Sequence, residues 1–225
     1  MTLRSGLERI AGVIVAVCVL MPVVFAGCSS GNDDRYRQLN RQQAMTIESL
    51  NAEIVRLNQE IDGAISARAK LRDAAERLAK YLAEEVRAGD MTVSLENKGL
   101  VIRILESALF EPERIDIRSA SEPALDRIAD VLGGDLKRHR VIVEGHLDDA
   151  LPDDSGWRSG WEYTASTAAE VLHYFTDVRG LDPGRFTVAS CGEFQRIDPG
   201  DTDDGRERNR RVDVIVTSDL MGKAA

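Results

Sequence analysis

The chain has 225 residues, 43% of them hydrophobic and 30% charged, with 38 acidic against 29 basic side chains and a formal net charge of -9. That length holds one ordinary domain with appendages. The acidic excess argues against a nucleic-acid binder, which needs a basic face to neutralise phosphates, and three cysteines are too few for a disulfide framework.

Arg4 and Arg9 precede an apolar run from Ile10 to Ala26, followed at once by Gly27-Cys28-Ser29-Ser30. A basic start, a short apolar run and small residues before a cysteine compose a lipoprotein-type signal. Val24-Phe25-Ala26-Gly27-Cys28 resembles a lipobox with phenylalanine in the leucine position. The resemblance implies that residues 1–28 are a signal and lipid-anchor segment, with the Cys28 thiol as the diacylglycerol attachment point. It also implies outer-membrane delivery, because Ser29 stands where an aspartate would retain the protein at the inner membrane. Several acyl chains, at about 0.8 kcal/mol per buried methylene, hold where one does not. The competing reading is an uncleaved inner-membrane helix with an inert Cys28, since a run of about seventeen residues sits at the low edge of a bilayer span. The run carries no ionisable residue, so it lacks the intramembrane carboxylate that ion conduction requires.

Residues 29–34 read as a short polar linker, and residues 35–90 as a helical stalk. Ile47, Leu50, Ile54, Leu57, Ile61, Ala64, Leu71, Ala75, Leu78 and Leu82 recur at three- and four-residue steps, with Arg68 interrupting the seam and Gly63 the one glycine between Ile47 and Gly89. A heptad sustained over this length predicts a coiled coil, and a helix from Asp34 to Ala88 would be about 80 Å long. Its single apolar stripe needs a partner, so the chain is expected to self-associate. The alternative is an amphipathic helix lying along its own globular domain.

Residues 91–220 read as one domain, with 221–225 as a tail. Val93-Ser94-Leu95 and Leu100 to Ile104 are predicted strands around the turn Asn97-Lys98-Gly99. A helix opens at Ser121-Glu122-Pro123, buries Leu125, Ile128, Ala129 and Leu132, and ends at Gly133-Gly134. Val141 to Glu144 is a strand. A second helix spans Glu162 to Val178 with Ala165, Ala169, Leu172 and Phe175 or Val171 inward, and strands follow at Phe186–Ser190 and Val212–Val216. Alternating in this order they predict an α/β (α+β) two-layer sandwich, a small mixed sheet covered by two helices.

Gly145-His146-Leu147-Asp148, the segment Ser159 to Ala168, Gly192-Glu193, and the closing run Arg206-Glu207-Arg208-Asn209-Arg210-Arg211-Val212 follow one another in the order and spacing of a known module. Together they resemble the OmpA/MotB C-terminal domain family, in its MotB-like form, over residues 95–217. The resemblance implies an OmpA-like fold and peptidoglycan binding through the diaminopimelate of the stem peptide. Recognition of that zwitterion needs a carboxylate for the ammonium and a guanidinium for the carboxylate. Asp148 matches the family's aspartate, while Thr167 falls on the family's helix arginine, Leu147 replaces a threonine and Gly160 an asparagine. Arg158, brought in by the longer loop at 151–155, is a candidate replacement for the lost charge. Arg206 and Asn209 are expected near the ligand, while Arg210 and Arg211 equally fit a structural role, capping a helix and pairing with Asp148 or Glu144.

No cofactor is implied, and no spacing of His139, His146 and His173 repeats a zinc pattern. Cys191 reads as a small buried apolar residue. With neither a phosphate loop nor a serine elbow, the chain reads as a non-enzymatic envelope tether. A protein-interaction subunit with a degenerate wall site is the alternative.

Overall fold

The computed structural model describes residues 30–111, 114–149, 151 and 155–220. The anchor segment, Cys28 and the tail lie outside the described residues. The chain divides into two units, one ending at Arg56 and one beginning at Leu57. Helix α1, Ser30–Tyr81, begins in the first and ends in the second.

In the first unit α1 runs without proline, and Asp33 in its first turn suits the positive end of the helix dipole. Arg56 reaches back one turn to Glu53 at 2.5 Å. Leu39, Ile47, Leu50 and Ile54 are exposed. No helix among the described residues is long and apolar enough to cross a membrane.

In the second unit α1 is followed by a short helix α2 (Ala83–Ala88), closed by Gly89 at a φ of 89°. Strands β1 (Met91–Glu96) and β2 (Gly99–Leu105) then pair as a hairpin. Gly99 is required at this turn: its φ is 132°, and a Cβ there would stand 2.1 Å from the Val216 carbonyl oxygen. A four-residue helix α3 (Glu106–Leu109) and helix α4 (Glu122–Gly133) lead to β3 (His139–His146). Helix α5 (Gly160–His173) continues as a π-helical turn over Tyr174–Val178 before β4 (Phe186–Ser190), a short helix α6 (Asp203–Asn209) and β5 (Arg211–Leu220). The sheet order is β1-β2-β5-β3-β4. Strands β3 and β4 are parallel, joined through α5, and β5 lies antiparallel between β2 and β3. This is the expected mixed sheet under helices, and the long helix ahead of it suits a stalk.

Strand side chains alternate between faces. Leu100, Ile102 and Ile104, Val141 and Val143, and Val212, Val214 and Val216 turn to one face. There they join Leu125, Ile128 and Leu132 of α4 and Ala168, Val171 and Phe175 of the α5 segment in one buried cluster. Buried Arg185 ties α4 down by donating to the carbonyls of Leu132, Leu136 and His139 at 2.8–3.1 Å.

Two details differ from the sequence reading. The inward stripe of α5 is Thr164, Thr167, Ala168 and Val171, with Ala165 and Ala169 only partly covered. The threonines are tolerated because Thr164 Oγ1 donates to the Gly160 carbonyl at 2.8 Å and Thr167 Oγ1 to the Thr164 carbonyl at 3.1 Å. The apolar cluster also takes in Leu71, Ala74 and Leu78 of α1 and Leu82 just after it, so here the leading coiled-coil reading gives way to the alternative of a helix lying along its own domain. Leu57 and Ile61 stay exposed.

Leu78→Ala is expected to destabilise the protein by about 2–5 kcal/mol, whereas Leu57→Ala in dilute solution should stay within about 0.5 kcal/mol of wild type. Urea denaturation measures both.

Candidate ligand-binding groove

Asp148 lies two residues beyond β3, at the end of the sheet where α3, α5 and α6 also meet. The strand is held against α5 by Gly145, where a Cβ would stand 2.0 Å from the Thr164 carbonyl oxygen. Side chains lock the same corner. Thr164 Oγ1 meets Ser190 Oγ at 2.7 Å and accepts from Gly192 N at 3.2 Å, and the Leu147 N–H donates to the Gly192 carbonyl at 2.9 Å. Leu147, where the family keeps a threonine, is buried. Helix α5 begins at the N-cap Ser159, whose hydroxyl accepts from the Glu162 N–H, and the Glu162 carboxylate accepts from the Arg158 N–H just ahead of the cap.

Around Asp148 opens a cavity of about 570 Å³, lined by Glu106, Phe110, Arg114, Arg118, Tyr163, Arg206 and Arg210 among others. A neighbouring cavity of about 490 Å³ shares Arg114, Tyr163 and Arg210 and adds Trp157 and Leu151. Arg210 is the guanidinium nearest Asp148. Its Nε stands 3.8 Å from Asp148 Oδ1, and its Nη2 3.6 Å from Glu106 Oε1. Both separations exceed a hydrogen bond. The charges are therefore paired loosely, with room for a ligand's own charges to come between. Burial works against the Arg210 charge, but Glu106 and Asp148 more than offset it and raise its pKa. Tyr163 donates to Glu106 Oε1 at 2.5 Å. Burial, and then the Glu106 carboxylate, push the Tyr163 phenol above its ordinary range, so it remains a donor.

The candidate residues distribute as follows. Asp148 and Arg206 line the groove together, with Arg206 donating to the Gly200 carbonyl at 3.0 Å and pairing with Asp203. Asn209 is wholly buried. Its side-chain oxygen accepts from the Ile197 and Asp198 N–H groups at 2.9 and 3.0 Å, and its amide donates to the Asp198 carbonyl at 2.9 Å. It holds the 195–200 loop. Thr167 is buried in α5, and Arg158 is exposed at the start of that helix without lining either cavity. Arg211 turns away from the groove to bond Asp213 at 3.2 Å. Glu106 and Tyr163 were not among the sequence candidates. Tyr163 precedes the buried Thr164 on α5, and Glu106 directly follows β2, so only strand order brings them beside Asp148.

Residues 109–210 match the model of the OmpA family. Motility protein B of Bacillus subtilis is 24% identical over 147 residues, covering 65% of this chain and 56% of its own. The chain thus spans about half the length of that curated relative. A crystal structure of a MotB-like protein from Desulfovibrio vulgaris superposes with a TM-score of 0.61 at 20% identity, covering 72% of this chain and 99% of that one. The cell wall anchor of the T6SS from Pseudomonas aeruginosa has a TM-score of 0.55 at 30% identity, covering 63% and 97%.

Asn209→Ala leaves two loop N–H groups unmatched, at about 1–3 kcal/mol each, and is expected to destabilise the domain by at least about 2 kcal/mol. Arg206→Ala, on a half-exposed side chain, should cost less than about 1 kcal/mol. Thermal or urea unfolding of the two variants separates loop brace from groove wall.

Proposed function

We propose, from the OmpA family domain matched over residues 109–210, that the chain is a non-catalytic envelope tether that grips peptidoglycan from a membrane anchor. The observation that carries the reading is the open groove in which Asp148 and Arg210 face each other at 3.8 Å. In this reading Asp148 takes the ammonium of a diaminopimelate side chain. Arg210 takes its carboxylate in place of the guanidinium that Thr167 does not supply, since a planar fork pairs with a carboxylate through two bonds. A relative whose structure is titled a cell wall anchor supports the same reading.

The exposed seam residues Ile47, Leu50, Ile54, Leu57 and Ile61 would be covered by a second copy of the chain. A tether with two or more such domains multiplies a weak grip on a polymeric wall. The anchor is proposed to be the Cys28 lipid in the outer membrane, with the domain in the periplasm. The relatives named Motility protein B favour a second reading, an uncleaved inner-membrane helix over Ile10 to Ala26.

Binding to purified sacculi tests the grip. A fragment beginning at Leu57 is the one to use, because a cut at Gly89 removes Leu71, Leu78 and Leu82 from the core. Asp148→Ala and Arg210→Ala are each expected to weaken retention about ten- to a hundredfold, the value of one charge-assisted bond. No retention of the wild-type fragment would sink the wall reading and leave a protein-interaction subunit. For the anchor, a palmitate analogue should label the full chain and fail to label Cys28→Ala. Label that persists in the variant would remove the lipid attachment.

A further inference from the structure

The face of the sheet turned away from the apolar cluster carries a buried polar group that the groove does not use. Strand β3 places Glu144 and His146 there, two residues apart on one face. Register sets Asp213 of β5 opposite Glu144, and Arg211 opposite His146. Cys191 follows β4 directly, its N–H donating to the Gly145 carbonyl at 2.9 Å. One ligand-type atom from each of Glu144, His146 and Cys191 lies within 4.8 Å of the other two. His146 Nε2 is 3.6 Å from Glu144 Oε2 and 3.8 Å from Asp213 Oδ2.

The imidazole is the informative member. His146 is only 2% exposed, yet neither ring nitrogen has a hydrogen-bond partner, and the Oδ2 of fully buried Asp213 has none either. A buried polar group left unmatched costs about 1–3 kcal/mol, and more where a charge is involved. Asp213 Oδ2 has charge partners in Arg103 Nε at 3.5 Å and Lys98 Nζ at 3.6 Å, whereas the imidazole, set beside the Glu144 carboxylate and the Cys191 thiol, has no donor or acceptor bonded to either nitrogen. We propose that Glu144, His146 and Cys191, backed by Asp213, form a binding site for one divalent transition-metal ion of the zinc class.

The donor set selects the ion. A thiolate and an imidazole suit zinc and exclude the hard cations magnesium and calcium, which take oxygen ligands. Geometry is close to what is required: zinc–ligand bonds of about 2.0–2.3 Å at tetrahedral angles put ligand atoms about 3.3–3.6 Å apart. The His146–Glu144 separation already meets that, and a contraction of about 1 Å closes the remainder. Two cations compete: Arg103 Nε lies 3.5 Å from Asp213 Oδ2, and the Lys98 ammonium lies 3.1 Å from Glu144 Oε2 and 3.6 Å from Asp213 Oδ2. Arg103 faces only the backing carboxylate, and the Lys98 side chain is 40% exposed, so it can leave for water when a metal enters. The site would clamp the end of β3 to the turn after β4, two residues ahead of Asp148, and it is independent of whether the groove holds peptidoglycan.

Metal titration of the full chain tests this, with Cys18→Ser and Cys28→Ser in place so that Cys191 is the one thiol. After chelator treatment, cobalt(II) is added as the spectroscopic probe and zinc(II) as its competitor. The expected result is a thiolate-to-cobalt charge-transfer band that saturates at one equivalent, is displaced by zinc, and accompanies a rise in Tm. Cys191→Ser removes the band, His146→Gln weakens binding by about tenfold or more, and Lys98→Ala strengthens it about tenfold by removing the competing charge. Far-ultraviolet circular dichroism checks that each variant is folded, and Cys191→Ser decides the matter should His146→Gln not fold. A folded parent protein with no charge-transfer band overturns the site. So does zinc affinity unchanged in Cys191→Ser, which would put the binding elsewhere.

Discussion

The contact at Gly145 governs the functional end of the molecule. Strand and helix touch through backbone atoms there, with no space for a side chain between β3 and the Thr164 carbonyl. A larger residue would have to push α5 off the sheet, and the protein interior transmits such shifts rather than absorbing them. The bonds from Thr164 to Ser190 and Gly192 depend on the same closeness, as does the Leu147 bond to Gly192. Asp148 leaves the sheet at a fixed point because everything one turn behind it is fixed. Tyr163, next to Thr164 on α5, is presented to the groove by the same approach.

The central position of β5 then sorts the charges into two environments. Arg210 and Arg211 are adjacent in sequence and opposite in fate. Arg210 stays at the open end, half-exposed and loosely opposed to Asp148 and Glu106, while Arg211 is drawn beneath the loop to bond Asp213 and the Gln195 and Asn209 carbonyls. Burial lowers the Arg211 pKa even with Asp213 beside it, whereas the two groove acids raise that of Arg210. The first arrangement is a fixed internal brace. The second leaves its partners at separations where water or a ligand competes.

Much of the frame is legible in the sequence because period and punctuation suffice for it. Gly99 marks a turn that only glycine can make, the α4 stripe of Leu125, Ile128, Ala129 and Leu132 has helical spacing, and Phe186–Ser190 alternates as a strand. The α5 stripe misleads because hydropathy ranks alanine above threonine, and it cannot know that helix carbonyls satisfy Thr164 and Thr167. The groove is legible in its aspartate, which falls in a motif, and illegible in Glu106 and Tyr163, which only the strand order brings near. Glu144 and His146 share a face by simple alternation, but Cys191 reaches them through a parallel pairing across forty-five residues. Spacing rules for metal sites do not see that.

The long helix shows how one apolar pattern serves two ends. A straight α-helix drifts about 20° per heptad against a strict seven-residue repeat, so a seam that begins on one line does not remain on it. In the second unit the covered residues are Ala67, Leu71, Ala74, Leu78 and Leu82: the three leucines keep the seam, while Ala67 and Ala74 are covered in place of Arg68 and Ala75. Ala67, not Arg68, faces the core, which explains why an arginine in the middle of the seam is tolerated: it lies on the exposed flank. Upstream, Ile47, Leu50 and Ile54 keep the original line and find no partner within the described residues. The reading of a helix lying along its own domain thus holds for the last turns of the helix, and the coiled-coil reading rests on the exposed upstream stretch. From Ala67 onward the stripe is covered by the chain's own core.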